Sequence, residues 1–276
     1  LLWTLGGGLE LLDQAWRATG WGPVTRGTAF LLSLAVVGEL LELPIGAYRT
    51  FRIEQRFGFN RTTWGLFAAD TAKQAVLTLV IGAPLAAAVL WLMGHAGSGW
   101  WLYAWLLWLG FSLLMVWAYP SVIAPWFNRF EPLEDREVAE RVRGVLERCG
   151  FTAEGLYVMD GSRRSSHGNA FFAGFGRHRR IVFFDTLLEH LAPEEVEAVL
   201  AHELGHFRLR HVRKRLIASA ALSLAALAVL GWLIDSPWFY SGLGVTTPSL
   251  HAGLALFLLA APVFGFFLQP VAARLS

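Results

Sequence analysis

Cysteine is all but absent. Cys149 is the only one in 276 residues, which excludes an intramolecular disulfide and suits a reducing compartment. Charge is scarce as well. Charged side chains make up 16% of the chain and apolar ones 55%, with a mean hydropathy of +0.47, whereas ordinary soluble domains carry about a quarter charged residues. That balance excludes a typical water-soluble domain and makes the bilayer the expected solvent. A net charge of only +2 gives no reason to invoke nucleic acid. Acidic residues run out toward the C-terminus, where Asp235 is the only one after position 206. The sequence also begins without Met or a charged leader, so it reads as a piece cut from a longer protein and not as a signal peptide.

What is present in quantity is long apolar runs. Five are long enough to cross a bilayer, over about 28–48, 70–93, 100–123, 216–234 and 250–271, and residues 1–12 read as the tail of a sixth. Trp100, Trp101, Trp126, Trp232 and Trp238 fall near span ends, as an aromatic belt requires. Of the 23 Lys and Arg residues, 15 lie between Arg129 and Arg215, and Arg49, Arg52, Arg56 and Arg61 fill the connection between the first two spans. The connections at 95–99 and 235–249 hold none. By the positive-inside rule, 49–61, the 129–215 segment and the C-terminal end lie together on the cytoplasmic side. Glu39 and Glu42 lie inside the first span at i and i+3. They either face a cavity, with Lys73 of the next span as counter-charge, or snorkel toward the interface.

The fold expected is mainly α: a polytopic helical membrane protein with membrane helices over 1–127, a small α+β segment over 128–215 and further membrane helices over 216–276. Within the polar segment, 134–149 has the periodicity of an amphipathic helix closed by Gly150. Residues 155–159, 169–175 and 180–184 read as strands, and Thr186 with Glu189 has capping-box spacing for a short helix. So small a segment cannot bury a large core unaided.

The same segment contains His202-Glu203-Leu204-Gly205-His206. On a helix, histidines four apart share a face and can reach one Zn²⁺, while the carboxylate between them can activate a water. Pro193 suits the first turn, Glu194, Glu195 and Glu197 complement the helix dipole, and Val196, Val199 and Leu200 supply a buried stripe. His202 and His206 are therefore the expected ligands of one zinc per chain, and Glu203 the expected general acid/base of peptide hydrolysis. A third metzincin-type histidine is missing, since that position is Val212 and the preceding glycine position is Leu209. His211 lies about 140° around the helix from His206 and reads as an interfacial cation or helix-end residue in preference to a ligand. Asp235 falls on the other side of the membrane. By the residues alone, the third ligand is either upstream, His167 or Asp185, or beyond Ser276.

Taken in order, Ile53-Glu-Gln-Arg-Phe-Gly-Phe-Asn60, Ser165-Ser-His-Gly-Asn169-Ala-Phe-Phe, Ile181-Val-Phe-Phe-Asp-Thr-Leu-Leu and the HELGH run ahead of a basic stretch and a span resemble the type I CAAX prenyl proteases. These are integral-membrane zinc metalloproteases of the gluzincin group. The resemblance covers essentially the whole chain. It implies a ring of helices around a water-filled chamber, and zinc bound at His202 and His206. Glu203 would be the base, and the third ligand a glutamate after the last span seen here, beyond Ser276. It further implies that Asn169 and Ala170 hold the substrate backbone, with His167 a weaker contact. The expected partners are a peptide or protein substrate, prenylated or membrane-associated, and the lipid bilayer. General quality-control proteolysis of membrane proteins is the alternative, and a non-enzymatic scaffold or transporter the alternative of another class. A site-2-type intramembrane protease is disfavoured, because Arg208, Arg210, Arg213, Lys214 and Arg215 follow the motif at once.

Overall fold

The computed structural model describes residues 3, 4, 6–151, 153–173, 180–209 and 211–274, and the side chains at 173, 206–208, 211, 212, 268, 271, 272 and 274 lie outside that description. The chain divides into two compact units, one made of 1–42, 72–110 and 214–276, the other of 43–71 and 111–213.

Five helical stretches are long and apolar enough to cross a membrane: Pro23–Glu54, Trp64–His95, Gly97–Phe127, Arg213–Leu233 and Leu250–Phe267. They match the five expected spans, and most outlast the apolar run because the helix continues through the polar ends. The first unit contains α1 (Gly8–Arg17), most of α2 (Pro23–Tyr48), most of α3 (Trp64–His95), the first half of α4 (Trp100–Ala118), α9 (His211–Leu233), α10 (Pro237–Ser241) and α11 (Leu250–Arg274). Residues 8–12 of the expected span tail lie in a short helix. Helix α1 begins only at Gly8, behind Gly7 at φ 72°, and its 10 residues cover about 15 Å, half a bilayer core. Its inner face buries Leu9 and Asp13. Asp13 accepts from Arg17 Nε at 2.7 Å and lies 2.7 Å from His251 Nε2.

In the second unit, α4 passes through a π-helical turn (Tyr119–Ile123) into α5 (Ala124–Phe127), followed by β1 (Phe130–Pro132), α6 (Arg136–Arg148), β2 (Gly155–Met159), β3 (Ala170–Ala173), β4 (Arg180–Phe184), α7 (Asp185–His190) and α8 (Pro193–Arg208). The strands form one sheet in the order β1-β2-β4-β3. β2 and β4 are parallel, with Tyr157 opposite Val182, and the two outer strands are antiparallel to their neighbours. The connection 174–179 and the end of the expected strand at 174–175 lie outside the described residues.

Alternation along the strands sends Ala170, Ile181 and Phe183 to one face. There Val138, Val142 and Val145 of α6 and Val196, Leu200 and Leu204 of α8 complete a core whose buried members are all 8% exposed or less. Asp135 caps α6 by accepting from Val138 N at 3.1 Å. The capping box expected from Thr186 and Glu189 does not form. Asp185 accepts from Thr186 N instead, and the fully buried Thr186 hydroxyl donates to the His167 carbonyl at 2.9 Å.

Leu200, with no exposed surface, joins α8 to α6 and the sheet. We expect Leu200→Ala to cost about 2–5 kcal/mol, read as a lower thermal midpoint and faster hydrogen exchange of the β4 amides. A change under about 1 kcal/mol would contradict this packing.

Candidate active site

Helix α8 is built to be held by one side only. The Ala192 N–H donates to Glu195 Oε2 at 2.8 Å, and Val196 N to Ala192 O at 3.0 Å, which closes the first turn. Arg141 of α6 pairs with Glu194, and Arg148 reaches Glu197 at 2.6 Å. Such surface pairs add little stability, though they fix how α8 lies on α6. At about 100° per residue, Val196, Leu200 and Leu204 fall within about 80° of one another, and positions 202 and 206 lie on the far side, about 40° apart. His202 is accordingly exposed and Glu203 half-buried at the margin. The side chain of His206 lies outside the described residues, though its backbone continues α8.

The donor set fits a zinc ion as far as it goes: two imidazole positions one helical turn apart with a carboxylate between them. Among the described residues, no three His, Cys, Asp or Glu side chains come together as a metal cage. His167 and Asp185 are engaged elsewhere. His167 is stacked on Phe59 with ring centroids 4.3 Å apart. Asp185 accepts from Ser162 N and Thr186 N, each at 2.8 Å, and from the Ser162 hydroxyl.

Strand β3 forms the outer edge of the sheet. Phe184 N donates to Asn169 O at 2.9 Å, so antiparallel alternation turns the backbone groups of Ala170 and Phe172 away from β4 and toward the open edge. Asn169 is exposed, and its Oδ1 accepts the outward N–H of Ala170 at 2.8 Å. The Ala170 side chain is in the core at 6% exposure, so this residue has only main chain to offer a ligand. At Gly168, just before Asn169, a side chain would be tight, because a Cβ would lie 3.1 Å from Leu187 Cα and that backbone would have to give.

One constellation escaped sequence reasoning. The guanidinium of Arg164 donates from Nε and Nη2 to the two oxygens of Asp70, at 2.8 and 3.0 Å, and also to Asn128 Oδ1 and the Phe127 carbonyl, both at 2.8 Å. Its own carbonyl accepts from Arg61 N and the Thr62 hydroxyl, both at 3.1 Å. Beside it, Asn60 bridges Ser165, and Ser166 N donates to Phe59 O at 3.1 Å. Two sequence motifs about a hundred residues apart are thus zipped together, directly before β3. The available signal was Asp70, a carboxylate heading an apolar helix with no basic residue one turn away except Lys73.

Two family models match the chain: the CAAX prenyl protease N-terminal model, described as five membrane helices, over residues 1–129, and Peptidase family M48 over 132–265. The CAAX prenyl protease 1 homolog of Arabidopsis thaliana is 35% identical over 83% of this chain and 54% of its own length. The human CAAX prenyl protease 1 homolog is 33% identical over 92% and 63%. The crystal structure of S. mikatae Ste24p superposes with a TM-score of 0.81 at 30% identity, covering 88% of this chain and 60% of that one. The fold and motif order define a multi-pass membrane protein with a zincin-like segment. The chain belongs to the M48 peptidase family of CAAX prenyl protease type, and spans about half to two-thirds of the length of the curated relatives it matches.

Arg164→Lys keeps the charge but loses the fork. With both partners about a fifth to a quarter exposed, we expect a loss of about 1–3 kcal/mol. Limited trypsin digestion should then cut faster at Arg56 and Arg61. An unchanged digestion rate would show that the fork does not hold the 55–62 loop.

Proposed function

We propose that this protein is a zinc-dependent membrane endopeptidase, of CAAX prenyl protease type, that cleaves prenylated or membrane-tethered polypeptides on the cytoplasmic side. The observation that carries the reading is His202 on the exposed side of α8 with Glu203 at its margin and position 206 one helical turn further along, while the opposite side shares its core with an open edge strand. The family implies a metal, and zinc supplies Lewis acidity when bound. His202 and His206 would hold it, with a third donor from outside the described residues.

Glu203 takes the proton of the attacking water and returns it to the departing amine nitrogen. Its half-buried place at the margin of the Leu204 core puts it one residue from His202 on the same helix. The substrate backbone adds to the edge of β3, pairing with the outward groups of Ala170 and Phe172. Asn169 then exchanges its bond to the Ala170 N–H for one to the incoming strand. The protease segment is taken as 128–215, between membrane helices over 1–127 and 216–276. Cytoplasmic placement follows from the arginines around it.

Two substitutions test the chemistry in the complete protein. Glu203→Gln should keep stoichiometric zinc and lose roughly a hundredfold or more in turnover, whereas His202→Ala should lose the metal, read by elemental analysis. A His202→Ala protein with chelator-resistant zinc, or an active Glu203→Gln, would overturn the assignment, and a wild-type protein without metal would favour a scaffold or transporter.

Asn169→Ala tests the strand. We expect KM for a membrane-tethered peptide to rise on the order of tenfold with kcat nearly unchanged, as for loss of uniform binding. An equal fall in kcat at constant KM would place Asn169 in the chemical step instead.

A further inference from the structure

The sheet has a second face that α8 and α6 do not cover. By strand alternation, Arg180 and Val182 of β4, Tyr157 of β2 and Phe171 of β3 point to that side, and the register places Tyr157 and Phe171 on either side of Val182. Between these residues and the chain leaving the third span, at Pro120, Ser121 and Pro125, lies a cavity of about 460 Å³.

Arg129 and Arg180 are both among its lining residues, and the Arg180 guanidinium lies on this face over Tyr157. Arg180 is held in place: its Cζ lies 5.4 Å from the Tyr157 ring centroid, with Glu154 at 4.0 Å. Tyr157 can lie beneath it because the residue opposite Arg180 is Gly155, where a Cβ would meet Tyr157 Cε2 at 2.8 Å. The Arg129 backbone N–H is fixed by Asp160 Oδ1 at 2.8 Å, and among the described residues its guanidinium has no carboxylate within ion-pair distance. The lining includes one acid, Glu131. Glu131 pairs with Val158, so its side chain leaves the sheet on the opposite face.

We propose that this cavity binds the phosphate headgroup of an anionic phospholipid. A guanidinium matches a phosphate in charge and fork geometry, and a second arginine at the same lining adds to the positive charge. The membrane is the source because Pro120, Ser121 and Pro125 belong to the stretch Gly97–Phe127 that is long and apolar enough to span. The opening is therefore at headgroup depth, where anionic lipid is concentrated. The apolar walls, Phe130, Phe171 and Val182, suit the glycerol and first acyl carbons, which a soluble anion lacks. The site is on the opposite face of the sheet from His202 and does not depend on the protease reading.

The test is the thermal midpoint of the delipidated 276-residue chain in neutral detergent, titrated with dioctanoyl phosphatidylglycerol, with dioctanoylglycerol or with inorganic phosphate. Phosphatidylglycerol should raise the midpoint saturably, and the other two should not. Arg129→Gln with Arg180→Gln should weaken the apparent affinity at least about tenfold, the corresponding Lys pair less so. Gly155→Ala should weaken it too, by pushing Tyr157 from under Arg180. Should the double Gln variant fail to fold, Arg129→Gln alone carries the test, since it leaves the Arg180–Tyr157–Glu154 contacts intact. An unchanged affinity in the Gln variants, or an equal shift from dioctanoylglycerol, would overturn the proposal. A shift reproduced by inorganic phosphate alone would assign a soluble anion and overturn the lipid.

Discussion

The bond between Arg164 and Asp70 is the constraint on which the second unit is organised. Two partly buried charges are costly unless each is answered by an opposite charge and the leftover hydrogen-bonding groups are filled. Here the fork takes both carboxylate oxygens, and the remaining guanidinium hydrogens go to Asn128 and the Phe127 carbonyl. One side chain thereby ties the start of α3, the end of α5 and the turn after β2. Its carbonyl then fixes Arg61 and Thr62, so the 55–62 loop is registered against 164–166. Beyond these residues the chain has few choices. Gly168 threads past Leu187, Asn169 enters the ladder with Phe184, and β3 is set as an edge.

Helix α8 shows the complementary device, apolar burial on one side only. Its core residues are essentially without exposed surface, so the helix is pinned in rotation, and rotation decides where the histidine face points. A slip of one residue would turn that face by about 100°. The buried stripe and the proposed chemistry are thus one requirement: Leu200 and Leu204 set the direction in which the proposed ligands and base of α8 face. Arg141 and Arg148 act in the same sense, fixing α8 to α6 through carboxylates of its first turns.

Most of this was legible in the sequence where a single period dominates. The five spans read correctly because apolar runs of that length have one solvent available to them, and α8 because its cap, stripe and HELGH motif agree. Residues 8–12 belong to a short amphipathic helix packed in the first unit, and an apolar run alone does not distinguish such a helix from the end of a span. Thr186 misled for a different reason: capping spacing is a local pattern, and a distant carbonyl, that of His167, won the hydroxyl. The Arg164 network was illegible because its members are far apart in sequence and none has a motif of its own. IEQRFGFN and SSHGNA could be recognised separately, but nothing in either says that they pair.

The relation between the two faces of the sheet follows from the same alternation. On β3, Ala170 points into the α8 core, Phe171 toward the cavity on the other side, and Phe172 back again. Three successive residues of the proposed substrate strand therefore sample both environments, and their outward backbone groups lie between the two. Whatever fills the second face meets Phe171, whose strand α8 supports from the first. A ligand held on the second face would therefore back the same edge strand from the side opposite α8.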